Sequence, residues 1–133
     1  MFTASRDRLI KMWDLNYETN KASLKANLDS HTDWVNQIIM IPESRNTLVS
    51  CSNDTTIKVW RLDGLDKYSQ SKQVKPFSTL DDHTDYVRSI DFHPASGKLY
   101  SASDDGELKV WDLNCEKMLQ KYLVYDKEKK PFD

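Results

Sequence analysis

Cysteine is scarce in this chain: only Cys51 and Cys115 occur. Neither lies in a Cys-x-x-Cys pair, and two thiols cannot build the disulfide framework of a small secreted domain. They read as buried or half-exposed free thiols in a reducing compartment. An intracellular protein is therefore expected, in the cytoplasm and/or the nucleus. Long apolar runs are missing too. No stretch approaches the roughly 18–20 apolar residues of a membrane helix, so no membrane partner is expected. The opening residues MFTASRDRLIKMWD lack the apolar core and cleavage site of a signal peptide. Charge of one sign is not in excess: 19 Lys and Arg stand against 21 Asp and Glu, for a formal net charge of −2. With a pI near 5.9, the whole domain shows no electrostatic footprint for nucleic acid.

What is present is a globular balance with 38% hydrophobic and 30% charged residues. A mean hydropathy of −0.72 points to much exposed loop. At 133 residues the chain is long enough for one domain with one core.

The strongest signal is internal repetition. FTASRDRLIKMWDL, LVSCSNDTTIKVWRL and LYSASDDGELKVWDL align on Trp13, Trp60 and Trp111. Each Trp follows an Asp by six residues: Asp7, Asp54 and Asp105. Each Asp follows a hydroxyl by four: Thr3, Ser50 and Ser101. The last two copies add a histidine upstream, His31 in HTDWVNQIIM and His83 in HTDYVRSIDF. The first copy has none.

Within a copy the local pattern is β. WVNQIIMI and YVRSIDF read as strands that stop near Pro42 and Pro94, since proline cannot donate to a ladder. TLVSCS and KLYSAS read as second strands. NDTT and DDGE read as tight Asx-type turns, the latter with a glycine free to take positive φ. IKVW and LKVW read as third strands, with Ile57 and Val59 alternating with Lys58 and Trp60. A looser fourth strand precedes the next histidine, as in PFSTLDDH after KQVK. CEKMLQKYLVYDKEKK comes nearest to a helical period, but its Leu123-Val124-Tyr125 run also suits a fourth strand.

Four short strands per unit, with His, Ser/Thr, Asp and Trp at these places, resemble the WD-repeat β-propeller family. Trp13-Asp14 and Trp111-Asp112 are the WD pair itself. Trp60-Arg61 departs from it, and Ser30 and Asp82 stand where the family usually has Gly before His. The resemblance implies an all-β partial β-propeller of about two and three-quarter four-stranded antiparallel blades, or 11 strands. The rest of a roughly seven-bladed ring is lacking. The expected units are an incomplete first repeat over 1–30, repeats over 31–82 and 83–126, and a linker or tail over 127–133. Two accounts of the short arc are open: a piece of a longer propeller, or self-assembly of several copies to complete the ring.

His, Ser and Asp are also the ingredients of a hydrolase triad. The resemblance instead implies a structural hydrogen-bond chain in each blade. The Trp60 indole would donate to Ser50, Ser50 to His31, and His31 to Asp54. The third copy repeats this with Trp111, Ser101, His83 and Asp105, and Thr3, Asp7 and Trp13 form a partial set. A nucleophilic serine must be exposed beside a base and an oxyanion hole. Ser50 lies inside an alternating strand between Val49 and Cys51, and no G-x-S-x-G elbow occurs. The expectation is therefore not an enzyme, with no small-molecule substrate. The three histidines and two cysteines show no metal-ligand spacing. Asp81-Asp82 and Asp104-Asp105-Gly106 lack the spaced ligands of a calcium loop. No cofactor is expected, and His93 reads as solvent-facing or locally bonded.

FTASRD, HTDWVN, NDTTIKVW and HTDYV are similar to the N-terminal blades of one WD-repeat subfamily, whose members bind and activate ubiquitin-specific proteases. That implies a non-catalytic scaffold that docks on other proteins, with a ubiquitin-specific protease as the sharpest candidate. The alternative is a subunit of an RNA-processing, chromatin or trafficking assembly. The resemblance places Arg6, Arg8, Asp33, Trp34, Asn53, Thr55, Asp85, Tyr86, Asp104 and Glu107 on the face where such rings meet partners. Trp34, Tyr86 and Arg8 stand out, since aromatics and arginines anchor interfaces. The connection from residue 61 to 80 reads as a surface loop or a partner-specific insertion.

Overall fold

Alternating side chains and short turns give only strands in the computed structural model, which describes residues 1–42, 46–62, 72–113 and 117–124. Strands β1 (Phe2–Ala4), β2 (Ile10–Asn16) and β3 (Lys21–Leu28) form a first sheet. Strands β4 (Val35–Met40), β5 (Thr47–Ser52) and β6 (Ile57–Arg61) begin a second. The chain then returns to the first sheet as β7 (Lys72–Val74) before β8 (Ser78–Leu80) completes the second. Strands β9 (Val87–His93), β10 (Lys98–Ser103), β11 (Glu107–Asp112) and β12 (Lys117–Leu123) form the third. The all-β, partial-propeller expectation holds, and the Lys117–Leu123 part of the C-terminal stretch with the helix-like period is a strand. Among the described residues no helix is long and apolar enough to cross a membrane.

The strand count departs from expectation. Twelve strands are present among the described residues rather than 11. The extra one is β7, which pairs in parallel with β3 through Ala26–Lys72, Asn27–Gln73 and Leu28–Val74. All other pairings are antiparallel. KQV carries no alternating apolar pattern, so only backbone pairing along an open outer edge identifies it. Part of the 61–80 connection is thus a strand on the neighbouring blade, while residues 63–71 lie outside the described residues. So do Cys115, the 43–45 part of the ESRN turn, and the 127–133 tail.

Strand alternation sends successive side chains to opposite faces. The middle sheet uses both faces. Val35, Leu48 and Trp60 pack on Ile10, Ala26 and Leu28 of the first sheet. Val49, Cys51, Ile57, Val59 and Leu80 pack on Val87, Ile90, Leu99 and Trp111 of the third. Each fully buried apolar side chain contributes roughly 1.5–3 kcal/mol against exposure. The core is therefore divided between the two gaps that join the three blades. Trp60 and Trp111 face the preceding blade and are 0% and 3% exposed, whereas Trp13 is half-buried.

Side-chain amides also tie the inner strands together. Asn36 Nδ2 donates to the Val87 carbonyl at 2.8 Å. The Ile90 N–H donates to Gln37 Oε1 at 2.9 Å. Between the first two blades, the Val35 N–H donates to the Ser5 carbonyl at 3.2 Å. These bonds satisfy polar groups on an inner edge that no fifth strand covers among the described residues.

The tight turn after each second strand needs one residue at positive φ. That residue is Arg8 at 75°, Thr55 at 76° and Gly106 at 85°. Glycine takes this conformation freely, whereas a β-branched residue is strained there by roughly 1–2 kcal/mol. Thr55→Gly is therefore expected to raise stability by about 0.5–1 kcal/mol, after the chain-entropy cost of glycine is subtracted. Gly106→Thr is expected to lower it by a similar amount. Denaturant unfolding checks both, and a destabilised Thr55→Gly would contradict the strain assignment.

Candidate functional site

Three short-range patterns bring the repeated residues together. The second strand places Ser50 opposite Lys58 in β6, two residues before Trp60. The turn after it fixes Asp54, and the segment before β4 delivers His31. The Trp60 indole N–H donates to Ser50 Oγ at 2.8 Å. Ser50 Oγ lies 2.7 Å from His31 Nε2, and His31 Nδ1 lies 2.7 Å from Asp54 Oδ2. The third blade repeats the chain. Trp111 donates to Ser101 at 2.9 Å, Ser101 meets His83 Nε2 at 2.7 Å, and His83 Nδ1 meets Asp105 at 2.7 Å. The imidazoles stand edge-on to the indoles, with ring centroids 6.3 Å apart in both blades.

One proton arrangement satisfies every group. The indole can only donate, so the serine oxygen accepts. Its own proton then goes to Nε2, which must be the bare nitrogen. Nδ1 carries the proton and donates it to the carboxylate. The order Ser–His–Asp matches that of a hydrolase triad, but Ser50 is buried and its oxygen is already engaged by an indole. A substrate carbonyl has no approach to it. The chain instead fastens the loop that carries the histidine to the turn that carries the aspartate.

The aspartates are held as carboxylates. Burial alone would raise Asp54, but hydrogen bonds from His31 and from the Thr56 hydroxyl and N–H outweigh it and hold the carboxyl well below its usual range. The Thr56 contacts are 2.6 Å and 2.9 Å long. Asp105 behaves alike: burial raises it, and His83 together with the Glu107 and Thr84 N–H groups lowers it further. Burial lowers His83 below the ordinary histidine value, and outweighs the neighbouring Asp105, which acts the other way. The neutral imidazole that the bonding pattern requires is also the form that burial favours.

The first copy holds only part of this. Trp13 donates to Thr3 Oγ1 at 2.9 Å. Asp7 accepts the Leu9 N–H at 3.1 Å, as its counterparts accept Thr56 and Glu107. No histidine joins them.

Lys109, on the same face as Trp111, was missed as a locking residue. It is buried and donates to the Asp82 carboxylate at 2.8 Å, to the Asp82 carbonyl at 2.5 Å, and faces Glu107 at 3.2 Å. The hydrogen bond from Lys109 is the main reason the Asp82 carboxyl is lowered. The signal was in the sequence: a lysine stands two residues before each of the three repeat tryptophans Trp13, Trp60 and Trp111, at Lys11, Lys58 and Lys109. The buried Lys58 takes a milder partner, Thr79 Oγ1 at 3.1 Å.

The expected partner-facing residues divide. Trp34 and Tyr86 are 41% and 40% exposed, yet both backbones are fixed. Each donates its N–H to the preceding aspartate, Asp33 or Asp85, at 2.7 Å. Each accepts at its carbonyl, from Asn53 or Asp104, at 2.9 Å. Arg6 lies 4.4 Å over the Trp34 ring, and Arg88 lies 5.2 Å from the Tyr86 ring. Arg88 also forms a forked pair with Asp104 at 3.0 Å and 2.8 Å. Arg8 is exposed. Asn53 is a correction. It is buried and accepts from Asn36 at 2.7 Å, so it braces the blade instead of facing a partner. Burial follows from its place in the turn, where its N–H must reach the Trp34 carbonyl.

His93 is exposed and bonded locally to Ser96 at 2.8 Å. Among the described residues, no group of three His, Cys, Asp or Glu is placed to hold a metal ion. Residues 22–61 and 74–112 each match the family model described as the WD domain, G-beta repeat, and together they cover more than half of the chain.

Ser50→Ala would orphan a buried indole N–H and a buried imidazole nitrogen, at roughly 1–3 kcal/mol for such groups. Thr3→Ala, at an exposed site, is expected to cost under about 1 kcal/mol. Equal losses in chemical unfolding would refute the buried-chain account. Acid should weaken the fold in two stages. Because His83 is lowered, the unfolded chain binds a proton that the folded chain refuses. Stability therefore falls as pH drops below about 6.5. Asp54 and Asp105 are also lowered, so their contribution is present above about pH 4 and is lost as pH falls through their folded values. Unfolding midpoints measured from pH 8 to pH 3 check both stages, with His83→Gln removing most of the first.

Proposed function

Since the chain belongs to the WD domain, G-beta repeat family, we propose that it is a non-catalytic docking scaffold whose sharpest form is a deubiquitinase-binding regulatory subunit. Repeats of this family indicate a protein-interaction scaffold, and the chemistry then belongs to the partner. The observation that carries the docking reading is the pair Trp34 and Tyr86. Large aromatic side chains held exposed at fixed backbone positions, with arginines beside them, are the composition of an interface hot spot. Their rigidity lowers the ordering cost of association. The repeated hydrogen-bond chain supplies that rigidity from below. The deubiquitinase form is supported by HTDWVN, NDTTIKVW and HTDYV, which resemble the subfamily that activates ubiquitin-specific proteases. The setting is intracellular on this reading, in keeping with the buried free thiol of Cys51, which burial pushes up to about 12.

The test is release of a fluorophore from ubiquitin by candidate ubiquitin-specific proteases, with and without the chain. A rise in turnover is expected. Trp34→Ala and Tyr86→Ala should each weaken the effect about tenfold or more, since hot-spot truncations cost about 2 kcal/mol. Their melting curves should stay unchanged. Stable recovery of the chain in an RNA-processing, chromatin or coat assembly that lacks any such protease would replace the specific assignment.

A further inference from the structure

The lysines that precede Trp60 and Trp111 are both buried, but they are not equally paired. Lys58 is 8% exposed and Lys109 is 1% exposed. A buried ammonium needs a counter-charge to offset the loss of its hydration. Lys109 has two carboxylates, Asp82 at 2.8 Å and Glu107 at 3.2 Å. Lys58 has none among the described residues. Its one side-chain partner there is the Thr79 hydroxyl, at 3.1 Å. The sequence accounts for the difference. Ser30 stands before His31 where Asp82 stands before His83, and Thr56 follows Asp54 where Glu107 follows Asp105. Both carboxylates of the third blade are thus hydroxyls in the second.

Thr79 is also placed for modification. It lies in β8, a three-residue strand at the outer edge of its sheet. Such a strand detaches at little cost, as an enzyme that works on its side chains requires. Thr79 is exposed, whereas Ser78 is half-buried and Leu80 is buried. Its oxygen accepts from Lys58, so its own proton is not used in that bond. Asp81 and Asp82 follow at two and three residues, and both are exposed. Two carboxylates just beyond a hydroxyl complement an enzyme with a basic substrate groove.

We propose that Thr79 is a phosphorylation site for an acid-directed protein kinase, and that Lys58 is the cation that receives the phosphate. The Thr79 oxygen forms a bond to the γ-phosphorus of ATP, and the bond from that phosphorus to the bridging oxygen breaks. ADP leaves, and the hydroxyl proton passes to a base of the kinase. The new group brings a charge of about −1.5 to −2 and three acceptor oxygens. It is attached to the very oxygen that already meets Lys58. A bond from an ammonium to a neutral hydroxyl becomes one between opposite charges. Lys58 and Thr79 are cross-strand partners in β6 and β8. The phosphate therefore fastens the outer strand to its neighbour, just ahead of the segment that delivers His83. Neither Trp34 nor Tyr86 takes part, so the site stands whether or not the docking reading does.

The test incubates the full chain with an acid-directed serine/threonine kinase and ATP, and locates the phosphate by fragmentation mass spectrometry. Phosphate on Thr79 is expected, and Thr79→Ala should remove most of the incorporation. No phosphate at Thr79, or phosphate on Ser30 or Ser78 in its place, would overturn the proposal. Phosphorus NMR of the modified chain tests the pair. Lys58→Met keeps the apolar stem and removes the charge, and should raise the phosphate titration midpoint by about one unit or more. Equal midpoints in the two chains would refute the role of Lys58. In the unaltered chain, phosphorylation should raise the melting midpoint by roughly 2–5 °C. An unchanged or lowered midpoint would equally count against it.

Discussion

One hydroxyl oxygen in each complete blade carries the arrangement. Ser50 and Ser101 must accept from an indole and donate to an imidazole at the same time. Only a hydroxyl offers both functions from a single atom. The imidazole must then be neutral, and its remaining proton fixes the direction of the bond to the aspartate. Four side chains from three separated stretches of sequence are coupled through that atom. The surrounding packing keeps water away, so the network is worth more intact than the sum of its bonds.

The packing depends on the network in turn. Each complete blade is thin, and its apolar side chains are buried only because the next blade presses on them. The middle sheet shows this most clearly, with Leu48 and Trp60 on one face and Val49 and Ile57 on the other. A loop that swung free would uncover the edge of β4 or β9 and disturb the amide bridges from Asn36 and Gln37. The histidine chain prevents this by fastening the loop to the turn.

Much of the fold was legible because it repeats. TLVSCS and KLYSAS gave strand limits to the residue, since alternation and turn chemistry agree there. The tetrad bonds were legible because each side chain has a single workable role. β7 was not, because KQV is placed by a backbone edge that belongs to another blade. Asn53 was misplaced because position in a turn does not say which way the amide points. Lys109 was missed because an alternating strand pattern treats lysine as exposed, whereas Asp82 neutralises it inside.

The positions that repeat and the positions that do not have different tasks. Tryptophan, hydroxyl and aspartate recur in all three turns because the fold needs them. The residue before the aspartate is Arg6, Asn53 and Asp104 in turn: cationic, neutral and anionic. Two residues after Trp34 and Tyr86 stand Asn36 and Arg88. The first bonds to Asn53 and to the next blade, the second to Asp104 on the surface. A change of one pair thus converts an inter-blade brace into a surface ion pair. Such exchanges leave the hydrogen-bond chains intact while they change what the face offers. Partner choice can therefore vary along the arc without cost to its folding, and the family's shared residues cannot specify it.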